Sequence, residues 1–432
     1  MTHKQQEPWK DMMTEVRTGR MSRRAFMAKT AALGISTSAA ITLLEACGGA
    51  SGSADSGPVT LTIWDYFNPP GAGYLQLLAD YSKAKPNVKI QRTAIPFADL
   101  KQKIIQGAAA RQLPDILVID NPDHQAFSSM GILADLTSQI SSWGQGNEYI
   151  TGPWTSTTWK NKNYGIPNNS NCLALYYNAD MLKKAGVNPP TNWDELHDAT
   201  KKLTTKGVYG LSMSLVQSEE GTFQFLPFLW EAGADLNSLD SPEATTALQF
   251  LVDLTKERLL SMDALNWTQQ DAMTQWTAGK SALCINGPWN LPAARSNAKF
   301  NWDVVPLPKN KQAASILGGE NWTITATSQH QAEAWEFIKW TQELSVLKKC
   351  LLGNGTLPSR LDLGTDSAFI QDPKQAVFVK ALTTAKPRAY GPNYPKISNY
   401  VQQAFQAAIS GQKSASAALQ AASQSVKPLL PS

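Results

Sequence analysis

The body of the chain alternates between strand patterns and helix patterns, and this alternation limits the folds open to it more than any other feature. Strands are predicted at 59–64 and 88–95, where β-branched residues are common, and at 116–119. Apolar residues repeat at helical spacing over 74–81 and 97–105, between these strands. The strand at 116–119 is apolar on both faces, as in a parallel sheet covered by helices. The order indicates an α/β domain with right-handed crossovers.

Helix patterns dominate the rest of the chain, with short apolar strands between them. The predicted helices are 180–185, 193–203, 242–256, 331–352, 375–384, 397–410 and 414–426. The predicted strands are 210–215, 282–286 and 321–326. Either Thr191 or Asn192 is a suitable N-cap for the helix that begins at Trp193.

Length and charge set the broad class of protein. A chain of 432 residues is long enough for two or three domains. Its 39 Lys and Arg exceed its 35 Asp and Glu, but seven of the basic residues lie before residue 47, so the remaining body is nearly neutral. A near-neutral body argues against nucleic acid as a partner, because such binding needs a basic face.

The first 57 residues have the pattern of an export signal peptide followed by a flexible linker, here called the tether. Residues 22–29 contain paired arginines and precede an uncharged stretch that is too short and too polar to span a membrane. Residues 1–47 therefore resemble a twin-arginine lipoprotein signal that ends at a lipobox cysteine, Cys47, with Glu45 a departure from the usual small residue. Residues 48–57 have the composition of a flexible tether. We expect export, lipid attachment at Cys47, and a location on the outer face of the cytoplasmic membrane.

An ordered series of short segments in the body resembles one protein family. The segments are 114–116, 164–167, 175–180, 190–196, 230–233, 279–282, 286–289, 318–319, 334–340 and 357–360. In this order they are similar to the bacterial extracellular solute-binding proteins (family 1, maltose-binding-protein type) of ABC sugar importers. The resemblance covers roughly residues 58–427.

The resemblance implies the two-lobe periplasmic-binding-protein fold of type II, an α/β fold with a ligand cleft between lobes joined by crossing segments. Lobe 1 is expected at 58–165 plus 318–355, and lobe 2 at 166–317 plus 356–432. The resemblance also implies a membrane permease as partner. We expect the protein to act as a monomer that captures a sugar or short oligosaccharide by lobe closure.

A sugar site needs aromatic faces for the C–H surfaces of the ring and fixed polar groups for its hydroxyls. The 14 Trp, against 13 Phe and 11 Tyr, suit such a site. The ends of predicted strands, where open α/β sheets bind ligands, and the segments that the resemblance assigns to the cleft supply the candidates. For each candidate, packing in the core is the alternative role. The predicted ligand-binding residues are Trp64, Asp65, Asp120, Asn121, Asp123, Tyr176, Tyr177, Trp230, Glu231, Trp289, Trp322, Arg360, Arg388, Tyr390 and Tyr394.

The sequence offers no catalytic, metal or cofactor pattern. The adjacent acids Glu219 and Glu220 are assigned to a loop and point apart, so they do not form a glycosidase pair. The segment 274–281 lacks the first glycine of a phosphate-binding loop. The histidines have no metal-ligand spacing. We therefore predict a binding protein, with a secreted glycan-degrading enzyme as the less favoured alternative.

Two other ligand classes stay open for the same carrier role. A glycerol phosphate ester would need converging basic groups, which Arg360 and Arg388 could supply. A polyamine would need more carboxylates together with aromatic rings. Cys172, Cys284 and Cys350 are interpreted as buried small side chains.

Overall fold

The computed structural model describes residues 58–67 and 71–431. The predicted signal, with its lipidation site at Cys47, and the predicted tether lie outside these residues. The described strands are β1 (Val59–Asp65), β2 (Val88–Ala94), β3 (Ile116–Asp120), β4 (Thr158–Trp159), β5 (Lys162–Asn163), β6 (Gly165–Pro167), β7 (Ala174–Asn178), β8 (Tyr209–Ser212), β9 (Ser281–Asn286), β10 (Trp302–Val305), β11 (Ser315–Leu317), β12 (Glu320–Ile324) and β13 (Ala385–Pro387).

Helices separate most of these strands. The α-helices are α1 (Ala72–Ala84), α2 (Phe97–Ala110), α3 (His124–Ser129), α4 (Thr137–Trp143), α5 (Thr151–Ser156), α6 (Ala179–Ala185), α7 (Trp193–Leu203), α8 (Glu219–Glu231), α9 (Pro242–Lys256), α10 (Gln269–Thr277), α11 (Leu291–Asn297), α12 (Gln331–Thr341), α13 (Leu344–Asn354), α14 (Leu361–Gly364), α15 (Pro373–Ala381), α16 (Tyr394–Ile409) and α17 (Ala415–Val426).

The first lobe is built on a five-stranded sheet in the order β2-β1-β3-β12-β6. Strand β1 pairs in parallel with β2 and β3, whereas β12 runs antiparallel to both β3 and β6. All five residues of β3 are buried, as expected for a central strand covered on both faces. Helices α1, α12 and α13 supply Tyr74, Phe337 and Cys350 to the core on one face of this sheet.

The second lobe is built on a four-stranded sheet in the order β10-β7-β9-β8. Strand β7 is antiparallel to β10 and β9, and β8 is parallel to β9. Its main core combines side chains of α8, α9, α16 and α17, among them Leu226, Leu251, Phe405 and Leu419. Each lobe therefore has a sheet and a hydrophobic core of its own.

The chain passes between the two sheets three times, and the crossing segments are hydrogen-bonded to one another. Asn171, between β6 and β7, exchanges two backbone hydrogen bonds with Gly318, between β11 and β12, at 2.9 and 3.1 Å. Ser170 exchanges two with Leu357, which follows α13, at 2.7 and 2.9 Å. A few residues in such connections can absorb the dihedral changes of a hinge motion. The exact lobe boundaries stay a prediction.

The amphipathic helices match the sequence prediction closely. Helices α7 and α9 have the predicted bounds, and the side chain of Asn192, not Thr191, caps α7 by accepting from the Glu195 amide at 2.9 Å. The single helix predicted over 331–352 is instead two helices, α12 and α13, because residues 342–343 leave the helical conformation between them.

The loop predicted at Glu219 and Glu220 was wrong, because these residues begin helix α8. All but one of the thirteen residues of α8 are buried, so the helix is apolar on nearly every side and shows little amphipathic periodicity. Pro227 in its interior also argues locally against a helix. Tertiary packing supplies the stability that the local pattern does not indicate.

Within the described residues, Cys172, Cys284 and Cys350 are free thiols and all three are buried. Burial raises the pKa of Cys284 and Cys350 to about 12, so these thiols stay protonated. The same part of the chain has no helix with the length and apolar character needed to cross a membrane.

Candidate functional site

A cavity of about 240 Å³ lies between the two lobes. The first lobe lines it with the segment after β1, the first turns of α2 and the residues that follow β3. The second lobe lines it with the start of α8 and the first turns of α16. The lining residues are Tyr66, Phe97, Ala98, Leu100, Lys101, Ile104, Ile119, Asp120, Asp123, Phe127, Gln217, Ser218, Glu219, Pro395, Asn399 and Gln402.

A buried arginine joins the two lobes behind this cavity. The guanidinium of Arg388 donates to both carboxylate oxygens of Asp120 at 3.0 Å each and to the amide oxygen of Asn121 at 3.1 Å. It also donates to Glu219 Oε1 at 2.6 Å and lies over the ring of Phe223, 4.7 Å from its centroid. Asp120 and Asn121 belong to the first lobe, and Glu219 and Phe223 to the second.

Burial governs the ionisation of this network. It raises the pKa of Asp120 to about 7, against the opposing effect of the Arg388 charge. Burial alone lowers the pKa of Arg388, but Asp120 and Glu219 outweigh it and raise that pKa above its ordinary value. Glu219 also accepts hydrogen bonds from the Tyr394 hydroxyl, at 2.6 Å, and from Ser398. Arg388 therefore stays cationic beside its two carboxylate partners.

A second ion pair lies in the cavity wall. Lys101 Nζ in helix α2 is 2.8 Å from Asp123 Oδ1, which follows β3. Burial raises the pKa of Asp123. Burial lowers the pKa of Lys101, but Asp123 outweighs this effect and the pKa is raised overall. The cavity is thus lined by three carboxylates and the cation Lys101, and the cation Arg388 lies behind the lining.

The cavity is also connected to a crossing segment through Tyr66. The Tyr66 hydroxyl donates to Glu320 Oε1 at 2.5 Å, and the other oxygen of Glu320 accepts from the side-chain amide of Asn169. Burial raises the pKa of Tyr66 well above its ordinary value, so the phenol stays a neutral donor. Asn169 precedes β7 in the first crossing, so this chain of contacts links the cavity wall to the hinge region.

Five predicted site residues meet around the cavity. Asp120 and Asp123 line it, Asn121 and Arg388 form the network behind it, and Tyr394 bonds Glu219 from the second lobe. Residues 120–123 are remote in the sequence from Arg388 and Tyr394, and lobe packing brings the two groups together.

Three other predicted aromatic residues lie in the second lobe. Trp289 is half-buried and its ring lies 6.2 Å from that of Phe223, under Arg388. Tyr390 is stacked on Tyr394 at 5.9 Å. The Tyr390 hydroxyl and Trp230 Nε1 both donate to Asp235, at 2.5 and 3.1 Å. Trp230 is fully buried, so this indole packs in the core.

Several predicted residues have structural partners away from the cavity. Asp65 is buried and accepts from Arg92 and Tyr74. Glu231 accepts from Trp193 Nε1 at 2.8 Å. The remaining five residues also have structural roles. Trp322 and Tyr176 are fully buried, and Trp64 and Tyr177 pack partly buried against the cores. Arg360 pairs with Asp362 and Gln145.

Sequence reasoning missed seven polar lining residues, among them Tyr66, Glu219 and Lys101. Tyr66 directly follows the candidate Asp65 at a strand end, and this position was the available signal. Glu219 was assigned to a loop, so its place at the start of a buried helix was not foreseen. The sequence around Lys101 does not indicate a binding role, because only the folded structure brings this residue next to Asp123. The described residues contain no group of three or more His, Cys, Asp or Glu side chains that could hold a metal ion.

Two sheet-based lobes, three crossings and a cavity between the lobes define a two-lobe solute-binding protein. The family described as bacterial extracellular solute-binding protein matches residues 76–377. This match spans more than half of the chain, and the protein belongs to that family.

Relatives with known or named roles agree with this assignment. The lactose-binding protein of Rhizobium radiobacter is 26% identical over 342 residues, covering 74% of this chain and 79% of the relative. A lipoprotein of Streptomyces antibioticus is 22% identical over 361 residues, covering 78% of each chain. The crystal structure of an ABC transporter solute-binding protein from Thermotoga lettingae, bound to α-D-tagatose, has a TM-score of 0.81 at 27% identity. The match covers 86% of this chain and 100% of the Thermotoga chain.

Proposed function

We propose that this protein is the substrate-binding component of an ABC importer and that it captures a sugar or short oligosaccharide between its lobes. The observation that carries the proposal is the cavity between the lobes, whose wall combines the rings of Tyr66, Phe97 and Phe127 with fixed polar groups. Aromatic faces suit the C–H surfaces of a sugar ring, and carboxylates and amides suit its hydroxyls. The lactose and tagatose bound by the relatives support the same ligand class.

The volume and the charge of the cavity limit the size and the chemical class of the ligand. A volume of about 240 Å³ lies below the range of about 300–1,000 Å³ typical of small-molecule pockets, which favours a mono- or disaccharide over a long chain. A phosphate ester would face Asp120, Asp123 and Glu219, whereas the cations Arg388 and Lys101 are already engaged. The near balance of charge favours a neutral ligand over a phosphate ester or a polyamine.

In this proposal the ligand holds the lobes closed. A ligand shifts the equilibrium between open and closed forms only by its differential affinity for the closed form. Contacts with Phe97 in one lobe and Asn399 in the other would form together only on closure. The closed protein would then dock, as a monomer, on a membrane permease.

We propose further that the ligand is released unaltered, so the protein is a carrier and not an enzyme. The export signal at 1–47 and lipid attachment at Cys47 would hold it on the outer face of the cytoplasmic membrane. The lipoprotein relative from Streptomyces supports the anchor. One acyl chain gives only marginal membrane binding, so stable attachment would need more than one chain.

A thermal-shift screen of the purified protein tests the proposed ligand class. The panel contains monosaccharides, disaccharides, glycerol phosphate esters and polyamines. Ligands that bind the folded state raise the melting temperature by mass action. We expect a neutral sugar to give the largest rise. A rise confined to phosphate esters or polyamines would contradict the sugar assignment, and turnover of a bound glycan would contradict the carrier role.

A further inference from the structure

The cavity wall contains two carboxylates that pair with a cation outside the cavity lining. Asp120 and Glu219 line the cavity, whereas Arg388, which contacts both of them, does not. The side chain of Arg388 is 1% exposed, so its charge is available only to these buried partners. The arginine therefore acts on a ligand through the two carboxylates and not by direct contact.

Compensation of this kind leaves the carboxylates able to bind hydroxyl groups. Each carboxylate oxygen can accept about two hydrogen bonds. The oxygens of Asp120 each accept one from Arg388, at 3.0 Å. The remaining acceptor capacity can bond a sugar hydroxyl, while Arg388 cancels one of the two negative charges that would attract a cation.

We propose that Arg388 is the residue that sets the charge preference of the cavity. It makes the wall formed by Asp120 and Glu219 suitable for a neutral polyhydroxyl ligand, and its removal converts that wall into a site for an organic polycation. This inference rests on the proposed function, because it assigns the neutral-ligand preference to one positioning residue.

The contrast with Lys101 supports the assignment to Arg388. Lys101 pairs with one carboxylate, Asp123, and its side chain is 32% exposed, so solvent screens its charge. Arg388 pairs with two carboxylates in a fully buried environment, where charge interactions are stronger. Loss of Arg388 should therefore change ligand charge preference more than loss of Lys101.

Arg388→Gln tests the proposal, with spermidine and the neutral sugar found in the screen as the two probes. Calorimetric titration should show spermidine binding that is at least about tenfold tighter in Arg388→Gln than in the parent protein, because two carboxylates lose their cation. Arg92→Gln is the matched control. Arg92 also makes a double contact with a buried aspartate, Asp65, at 2.6 Å, but Asp65, unlike Asp120, does not line the cavity. An equal gain in both variants, or no gain in a folded Arg388→Gln, would overturn the inference.

Asp120→Asn provides a second variant if circular dichroism shows that Arg388→Gln is unfolded. It removes a negative charge and leaves Arg388 in place, so glycerol 3-phosphate should bind at least about tenfold tighter than to the parent protein. No gain would overturn the inference. If the parent binds no sugar and these variants still show the opposite charge preferences, the proposed function fails while the role of Arg388 stands. If the parent binds sugar and neither variant changes preference, only the inference fails.

Discussion

Trp289 and Trp322 are both tryptophans that the sequence places at the cleft, but their surroundings differ. Trp322 is fully buried in the core of the first lobe, with its ring 5.4 Å from that of Phe337. Trp289 is half-buried beside Phe223, and the guanidinium of Arg388 lies over the ring of Phe223. Of the two, only Trp289 has part of its side chain exposed. Position after a strand or in a turn does not distinguish these environments.

Trp289→Ala should weaken sugar binding by at least about 1 kcal/mol, the scale of one aromatic contact. Calorimetric titration with the sugar from the screen measures the change. Trp143→Ala is the control, since Trp143 is also half-buried but packs against Trp335 in the first lobe. An unchanged dissociation constant in Trp289→Ala would remove this residue from the proposed site.

His124 makes stability depend on pH. Burial lowers its pKa to about 3 in the folded protein, from the ordinary value of 6.5. The unfolded chain therefore binds one more proton at this residue between these values, and the contribution of His124 to stability falls as the pH falls. The contribution of this residue approaches about 1.4 kcal/mol per pH unit below pH 6.

Replacing His124 by Gln should remove that slope from the free energy of unfolding, measured by urea denaturation at pH 7, 6 and 5. The absolute stability will also fall, so the difference between pH values is the readout. His197→Gln is the control, because His197 lies near the surface beside Glu257. A slope in His124→Gln identical to that of the parent protein would show that another group causes it.

Among the secondary-structure elements, the amphipathic helices depend on local sequence, whereas helix α8 and the crossing segments depend on tertiary contacts. Helices α7 and α9 follow from local periodicity and capping, and their bounds are as predicted. Helix α8 is buried on nearly all sides, and its existence depends on the core around it. The crossings depend on close backbone contacts, which explains the glycine pair at Gly318 and Gly319. Gly319 has a φ of +140°.

Gly319→Ala should destabilise the protein strongly. A Cβ atom at this position would overlap the backbone carbonyl oxygen of Asn169, and its φ of +140° is unfavourable for alanine. The expected loss in the free energy of unfolding is more than about 2 kcal/mol.

Gly131→Ala is the matched control, since Gly131 has a φ of +70° but no atom within 4 Å of the added Cβ. The control should lose about 1 kcal/mol, the cost of the left-handed conformation alone. Equal losses in urea denaturation would show that the crossing tolerates a side chain at residue 319.

At the scale of the whole molecule, two lobes share one cavity and one buried ion network. Asp120 of the first lobe reaches Arg388, which also pairs with Glu219 of the second lobe, only when the lobes are in contact. The pairing of the cavity carboxylate Asp120 with Arg388 therefore depends on lobe closure. The proposed anchor at Cys47 would keep this assembly near its permease.

Cys47→Ser should release the protein from the membrane fraction into the soluble extracellular fraction, because serine lacks the thiol that would carry the lipid. Immunoblots of the two fractions measure the distribution. Cys350→Ser is a control that removes a buried cysteine of the body and leaves the proposed anchor. Continued membrane retention of Cys47→Ser would contradict the lipid-anchor proposal.

Local sequence patterns were enough to predict the alternation of strands and helices, the bounds of amphipathic helices such as α7, and the family of the protein. These features follow from local periodicity, capping and ordered short motifs, which need no knowledge of distant contacts. The tertiary structure alone decided that α8 is a helix, that Trp322 packs in a core, and that Asp120, Glu219 and Arg388 meet. The reason is physical: burial and ionisation depend on neighbours contributed by remote segments, and no local pattern specifies those neighbours.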